Sequence, residues 1–576
     1  MKRTLILLTF LVSIISIISG QELIKVNDVI IADEGGDAQG VSWVDYDNDG
    51  FIDVYISNID YEVNLLYKND GSGSFYKQTE SSLVLNNFNT ESSAWADFNN
   101  DGLIDVYLCN NGLNQLYKNL GEGTFEELPQ TSIPADGLHS TSAAWSDYNN
   151  DGYLDLFVCN SNGNNMLYHN NGNETFLPIV GIDMTSIYSK SNVCIWGDYN
   201  NDGFSDLFVG NGNSENNFLY KNNGDGTFET ISELNIVTDG GTSSSANWAD
   251  FNNDGWLDLF VANYYGEQNF LYYNNGDGTF TRIFGEAPVN YFNYSKASCV
   301  TDLDNNGTID ILVGNAHASY SDYSKNKIYL NQGNGSYSEL SGVFTSDTQP
   351  TASLALADYN NDGFEDVLAV ARNGYNSILY QNIPNDNNWA AIQLLSTTSN
   401  ASSIGASVRI KANIDGEYKW QMMELASSNG LRAQNSFILH FGLGNAQTID
   451  SIEIRWPSGN VCQFYDIDAN KLIKISEDCL ILDVYEEQLN SKPIVNVYPN
   501  PASVSMVINV EGLQNFIQEI QLFDVTGKAV MQLHKLSNNK VNIDVRQLAP
   551  GFYTYLLKII NENGESVYSN GKFLVK

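Results

Sequence analysis

At 576 residues the chain is too long for one hydrophobic core, so two to four domains are expected. Hydrophobic residues make up 42% and aromatics 12%, enough to fill large cores, which excludes a generally disordered chain. Against 69 acidic residues stand 28 basic ones, a formal charge of -41 that disfavours nucleic acid and anionic membranes as partners and favours metal cations.

Residues 1–20 read as an export signal, with Lys2 and Arg3 before an apolar run from Leu5 to Ile18, then Ser19 and Gly20. The run is short for a membrane span and no second one follows, so the expected mature chain has no transmembrane segment. No cysteine stands directly after the run, which argues against lipoprotein processing.

From Asp45 to Asp366 one unit recurs seven times. Its signature Asp45-Tyr-Asp47-Asn-Asp49-Gly50-Phe-Ile-Asp53 returns at Asp97, Asp147, Asp198, Asp250, Asp302 and Asp358. Each copy opens on a short strand such as Ser93-Ala-Trp95 and continues after the acidic loop with an apolar strand such as Leu154-Asp-Leu-Phe-Val158. A stretch like Asn217-Phe-Leu-Tyr-Lys-Asn222 and a glycine turn such as Gly224-Asp-Gly226 follow. Four short strands per unit, without helical periodicity between them, predict an all-β, seven-bladed β-propeller whose small sheets are buried only by packing radially. Trp43, Trp95, Trp145, Trp196 and Trp248, two residues before the acidic loops, read as packing between units, with a ligand stack as the other reading. The seventh unit stops at Leu379-Tyr-Gln-Asn382 without a fourth strand, and Leu23-Ile-Lys-Val26 is spaced to supply it and close the ring.

Calcium takes six to eight oxygen ligands in a flexible shell, and each nonapeptide offers them at positions 1, 3, 5 and 9 plus the carbonyl of position 7. The expected ligands are Asp45, Asp47, Asp49 and Asp53 with Phe51; Asp97, Asn99, Asp101 and Asp105 with Leu103; and Asp147, Asn149, Asp151 and Asp155 with Tyr153. Next come Asp198, Asn200, Asp202 and Asp206 with Phe204, and Asp250, Asn252, Asp254 and Asp258 with Trp256. Asp302, Asp304, Asn306 and Asp310 with Thr308, and Asp358, Asn360, Asp362 and Asp366 with Phe364, complete the set. Up to seven structural calcium ions follow. The sixth copy reads as the weakest, since Asn306 replaces the fifth-position acid. EF-hands are excluded by the strand-like flanks and an apolar twelfth position, Ile56 in the first copy.

The repeats resemble the FG-GAP/VCBS family, the calcium-cage propellers related to integrin α heads, which implies extracellular binding of proteins or glycans. From Trp389 to about Ile475, Asn400 with Ile404-Gly405-Ala406, His440-Phe-Gly-Leu-Gly444 and Ile454-Arg-Trp-Pro-Ser-Gly459 resemble an ASPIC/UnbV domain. The residues alone read as alternating strands, a compact sandwich on the ring over 385–480, where His440 and Arg455 are either packing or site-lining residues. Cys462 and Cys479 flank a hairpin pattern, Val461–Tyr465 and Lys471–Ser476, with a cross-strand disulfide and free thiols both open. Residues 481–493 read as a polar linker. From Ile494 to Lys576, Val497-Tyr-Pro-Asn-Pro501, Leu522-Phe-Asp-Val-Thr-Gly527 and Leu548-Ala-Pro-Gly-Phe-Tyr553 resemble the C-terminal sorting domain of type IX secretion. That resemblance implies the type IX machinery as a partner and a gram-negative outer surface or medium as the destination; an immunoglobulin-like adhesion module is the other reading.

No HExxH, GxSxG or phosphate-cradling loop occurs, so a binding protein, monomeric and not an enzyme, is expected. The alternative, a polysaccharide-active enzyme or an accessory subunit of one, requires acids and bases outside the repeats to cluster in one cleft. Loops between second and third strands share the end opposite the acidic loops. Tyr264, Tyr265, Tyr320 and Tyr323 fall there, as candidate contacts for an extracellular glycan or protein.

Overall fold

The computed structural model describes residues 21–576 apart from 28, 34, 135–136, 317–324, 487–494, 499–503, 511–515, 525–528 and 561–565. The export signal, Tyr320 and Tyr323 therefore lie outside the described residues. Two units form, Met1–Glu486 and Glu487–Lys576.

In the larger unit, seven antiparallel sheets of four repeat strands follow one another. Their second strands, such as Asp105–Asn110 and Asp155–Asn160, are buried at every residue because sheets pack against both faces. Apolar runs such as Leu156-Phe-Val158 meet that requirement. The first strands adjoin in cyclic order from Ala38–Val44 through Thr90–Ala96, Ser140–Ser146, Ser191–Gly197, Ser243–Ala249 and Ser295–Thr301 to Thr351–Ala357, which returns to the first. This all-β arrangement is consistent with a β-propeller. Glu22–Lys25 pairs antiparallel with the seventh unit's third strand, placing Leu23 opposite Asn382.

Tryptophans seal the joints between neighbours. Trp43 stacks on Tyr359 at 6.2 Å, Trp145 on Phe98 at 6.0 Å and Trp248 on Tyr199 at 6.3 Å. In each pair the partner is the second loop residue of the preceding unit, so the indole rings are packing residues.

After the seventh unit the chain builds two four-stranded sheets. One contains Ile438–Gly444, Asn388–Leu395, Lys471–Ser476 and Leu480–Glu486; the other contains Glu417–Glu424, Ser407–Ile414, Thr448–Arg455 and Val461–Asp468. Ile392, Val408, Ile410, Phe441, Ile452 and Ile473 share one core. Two expectations need correcting here. Val461–Asp468 does not form a hairpin with Lys471–Ser476; it pairs with Thr448–Arg455, and Lys471–Ser476 pairs with Asn388–Leu395 and Leu480–Glu486. The left-handed Asn470, φ 60°, stands where the chain crosses between sheets. Cys462 and Cys479 are disulfide-bonded, Cα–Cα 5.2 Å, with Cys462 in one sheet and Cys479 just before the last strand of the other. The expected linker also begins too early: residues 481–486 belong to the strand Leu480–Glu486, and 487–493 lie outside the described residues.

The C-terminal unit has a three-stranded and a four-stranded sheet around Met506, Ile508, Ile520, Leu522, Ile543 and Leu557.

Candidate functional site

Every acidic loop is wound the same way by its own side chains. The first aspartate caps the turn: Asp97 Oδ1 accepts from the Asp101 amide at 3.1 Å and Oδ2 from Gly102 at 2.7 Å. The fifth residue then accepts from the seventh, as Asp101 Oδ1 does from the Leu103 amide at 3.0 Å. Position 4 is asparagine in all seven copies with φ between 55° and 59°, where few side chains are tolerated. Its amide also braces the next unit, Asn100 to the Gly152 carbonyl and Asn253 to the Gly307 carbonyl, each 2.8 Å.

The ninth-position aspartate is the most deeply placed ligand candidate. Asp53, Asp155, Asp206 and Asp366 accept the amide of the third strand's last asparagine on Oδ1 at 2.7 Å. Their Oδ2 atoms are buried without a hydrogen-bond partner among the described residues. Burial, and then the neighbouring loop carboxylates, push Asp53 and Asp206 up to about 9. Burial raises Asp45, Asp97 and Asp198 to about 6 and Asp147 and Asp250 to about 7. An all-oxygen donor set whose negative charge is unstable alone fits a hard divalent cation.

Three carboxylate oxygens come within 4.8 Å of one another in the first loop, from Asp45, Asp47 and Asp49, and in the sixth, from Asp302, Asp304 and Asp310. The sixth copy, expected to be weakest, also brings three acids within that distance, through positions 1, 3 and 9. In the other five, position 3 is asparagine and only an amide oxygen is offered there. Cations also lie near the loops: Lys68 pairs with Asp47 and with Asp49, Lys118 with Asp101 at 3.5 Å, and His169 with Asp155 at 3.0 Å.

Sequence reasoning missed the role of the asparagine that ends the third strand in six units and stands one residue before its end in the seventh. Asn170 donates to the Leu154 carbonyl of its own loop at 3.0 Å and to the Phe98 carbonyl of the preceding unit at 2.8 Å. Asn69, Asn119, Asn222, Asn274, Asn331 and Asn382 repeat this, Asn69 reaching Tyr359 of the seventh unit. The signal was its recurrence after the tyrosine-containing stretch. Gly71, Gly172, Gly224 and Gly276 in the next turn are covered by Phe51, Tyr153, Phe204 and Trp256, so a Cβ at Gly71 would stand 2.3 Å from the Phe51 ring.

The two-sheet segment covers the acidic-loop end. Ser402 accepts from the Asp97 amide at 2.8 Å and Glu424 from the Asp198 amide at 3.1 Å, while His440 Nε2 lies 2.7 Å from Asn305 Oδ1. Residues 427–436 enter the space enclosed by the first strands. Ser427 donates to the Trp145 carbonyl, Gln434 exchanges bonds with the Trp95 backbone, and Ala433 and Gln434 pair in parallel with Val41 and Ser42. A cavity of about 80 Å³ remains between segment and ring, lined by Glu365, Glu424 and His440 together with apolar residues and the polar Asn247, Asn429 and Asn435. Burial pushes Glu365 up to about 7, Glu424 up to about 8 and His440 down to about 4. Arg455, by contrast, is exposed beside Glu453. At the other end Tyr264 is half-buried against Tyr265 and Tyr294, with ring centroids 4.6 and 5.6 Å away, and Tyr265 is 60% exposed.

Comparison with known proteins agrees with this organisation. FG-GAP-like repeats match at residues 45–108, 97–158, 147–209, 198–261, 250–313 and 302–369, an unbroken span over more than half the chain. The "ASPIC and UnbV" family matches 396–479 and the secretion system C-terminal sorting domain 496–576. Cartilage acidic protein 1 of Xenopus tropicalis is 25% identical over 280 residues, 45% of this chain and 41% of that protein. Its human counterpart is 25% identical over 269 residues, 45% and 39%. The chain thus spans about two fifths of the length of these curated relatives. Among solved structures, an Agrocybe aegerita lectin described as recognising non-reducing terminal N-acetylglucosamine is 18% identical, with a TM-score of 0.39 over 62% of this chain and 92% of that one. The extracellular domain of a putative hybrid two-component system from B. thetaiotaomicron is 10% identical, with a TM-score of 0.42 over 96% and 100%. Structural likenesses this weak carry no functional weight. No helix among the described residues is long and apolar enough to cross a membrane, and the sorting domain indicates secretion and cell-surface export. The chain belongs to the FG-GAP-like repeat family, with an ASPIC/UnbV domain and a type IX secretion C-terminal sorting domain behind its repeats.

Proposed function

We propose that this chain is a calcium-binding protein secreted by a gram-negative bacterium or held on its outer surface, whose repeats close into a seven-bladed ring with structural calcium ions in its acidic loops and which binds an extracellular glycan or protein without catalysis. The ring would occupy residues 21–384 and the ASPIC/UnbV domain the segment from 385 to the strand ending at Glu486. One observation carries the binding reading: the ASPIC/UnbV segment covers the acidic-loop end through Ser402, Glu424 and His440, which leaves the opposite end, with Tyr264 and Tyr265, for a partner. Orphaned Oδ2 atoms on Asp53, Asp155, Asp206 and Asp366 support the calcium.

A glycan and protein binding screen of residues 21–486, with calcium and after chelation, tests the reading, alongside metal analysis of the folded protein. Calcium in the preparation and a ligand captured only by the loaded protein are expected. Absence of calcium refutes the metal assignment, and absence of any ligand refutes the binding role. The enzymatic alternative draws on the cavity holding Glu365, Glu424 and His440. Each of these already serves the fold, through Thr301, the Asp198 amide and Asn305 respectively, which favours binding.

A further inference from the structure

The second residue of every first strand is skipped by the ladder, which leaves Gln39, Glu91, Thr141, Asn192, Ser244, Lys296 and Ala352 at the same level around the axis. This level lies at the end away from the acidic loops, and the inserted segment reaches it at Arg432. Arg432, with φ 56° and a side chain only 9% exposed, pairs with Glu91 at 2.6 Å and reaches Gln39. Glu91 also takes His139 Nε2 at 2.7 Å, so both its oxygens are in use.

Lys296 is the other charge at this level, and it forms no ion pair among the described residues; Glu91, which acts on it from a distance, is already held by Arg432 and His139. Its ammonium lies 5.4 Å from the centre of the Tyr264 ring, beside the exposed Tyr265. Arg372, the next cation at this mouth, is 3.3 Å from Asp37. Carboxylates of the surrounding loops are engaged by backbone amides: Glu62 by Asp37, Glu215 by Lys190 and Glu267 by Thr242. A part-exposed cation without an ion pair among the described residues, set against the Tyr264 ring, is therefore present in a chain of formal charge -41. Burial, and then the Arg432 and Arg372 guanidinium groups, lower Lys296 to about 7 against a smaller opposing pull from Glu91.

We propose that this mouth is a receptor for a carboxylate-bearing saccharide, with Lys296 pairing with the acid and Tyr264 and Tyr265 supplying the face against which the sugar ring packs. The inference rests on the binding role proposed above and specifies its ligand class. Tyr265 holds φ 59°, an uncommon conformation for an aromatic residue, and this presents its ring at the rim.

The experiment is calorimetric titration of the mature, calcium-loaded chain with a panel of uronate oligosaccharides and their carboxyl-reduced counterparts. The variants are Lys296→Met, Tyr265→Ala and, beside an acidic loop, Lys221→Met. A uronate is expected to bind, with at least about tenfold loss in Lys296→Met and in the reduced sugar, a smaller loss in Tyr265→Ala and none in Lys221→Met. Lys296→Met removes a partly desolvated charge, and its unchanged melting midpoint would show that the fold persists. Binding of a uronate equally by Lys296→Met, or preference for polyglutamate over every saccharide, overturns the assignment. A neutral glycan or a protein bound independently of Lys296 also overturns it, while the general binding role stands; only the absence of any ligand in the screen removes both.

Discussion

Replacing Asn170 by alanine should loosen the repeat unit more than any exposed asparagine replacement nearby. The Asn170 side chain is 1% exposed and makes three hydrogen bonds, donating to the Phe98 and Leu154 carbonyls and accepting from the Gly172 amide at 3.0 Å. Alanine leaves two carbonyls and an amide without that partner, at about 1–1.5 kcal/mol each, or about 3–5 kcal/mol in total. Because Phe98 belongs to the preceding unit, the damage falls on a joint between units and on the loop of Asp155 together. A folding unit of several hundred residues loses about 1 °C in midpoint per kcal/mol, so a drop of about 3–5 °C is expected in calcium-saturated thermal unfolding followed by circular dichroism. Asn171→Ala, which loses only exposed bonds to Thr175, is the control and should stay within about 0.5 kcal/mol of the parent. A shift below 1 °C for Asn170→Ala would refute the view that these asparagines fasten neighbouring units.

Chelated protein should become more stable as pH falls from 8 to 5. Asp53 and Asp206 are raised to about 9 in the folded state, so their favourable contribution is complete below the usual aspartate range and is lost as pH rises toward 9; a flat midpoint would contradict this. With calcium present the trend should vanish or reverse, since protons then compete with the ion. Glu91→Ala strands Arg432 in a buried setting and should cost about 3–5 kcal/mol in denaturant titration, whereas an effect under 1 kcal/mol would show that the guanidinium finds water. Cys462→Ser opens a bridge of sequence separation 17 between two sheets and should cost about 3 kcal/mol, read as a lower midpoint that matches the parent under reducing conditions.

The acidic loops were legible because nine consecutive residues carry the whole pattern: Asp45 caps the amides of Asp49 and Gly50, and Asp49 that of Phe51. Repetition added the unit boundaries and the docking of the Leu23-Ile-Lys-Val26 run on the seventh unit, since a missing strand in one copy points to a spare strand elsewhere; the register, Leu23 opposite Asn382, came from the structure. The hairpin reading of Val461–Tyr465 failed because both segments alternate equally well, and only packing of two sheets decides which neighbour each strand takes.

What the sequence by itself determined is therefore what short-range chemistry enforces: acidic turns and strand alternation. Only the tertiary structure placed residues 427–436 inside the ring, brought Arg432 to Gln39 across 393 positions, and set Lys296 against Tyr264 with no ion pair among the described residues. Such contacts depend on how separate sheets close around an axis, and no local pattern of side chains encodes that distance.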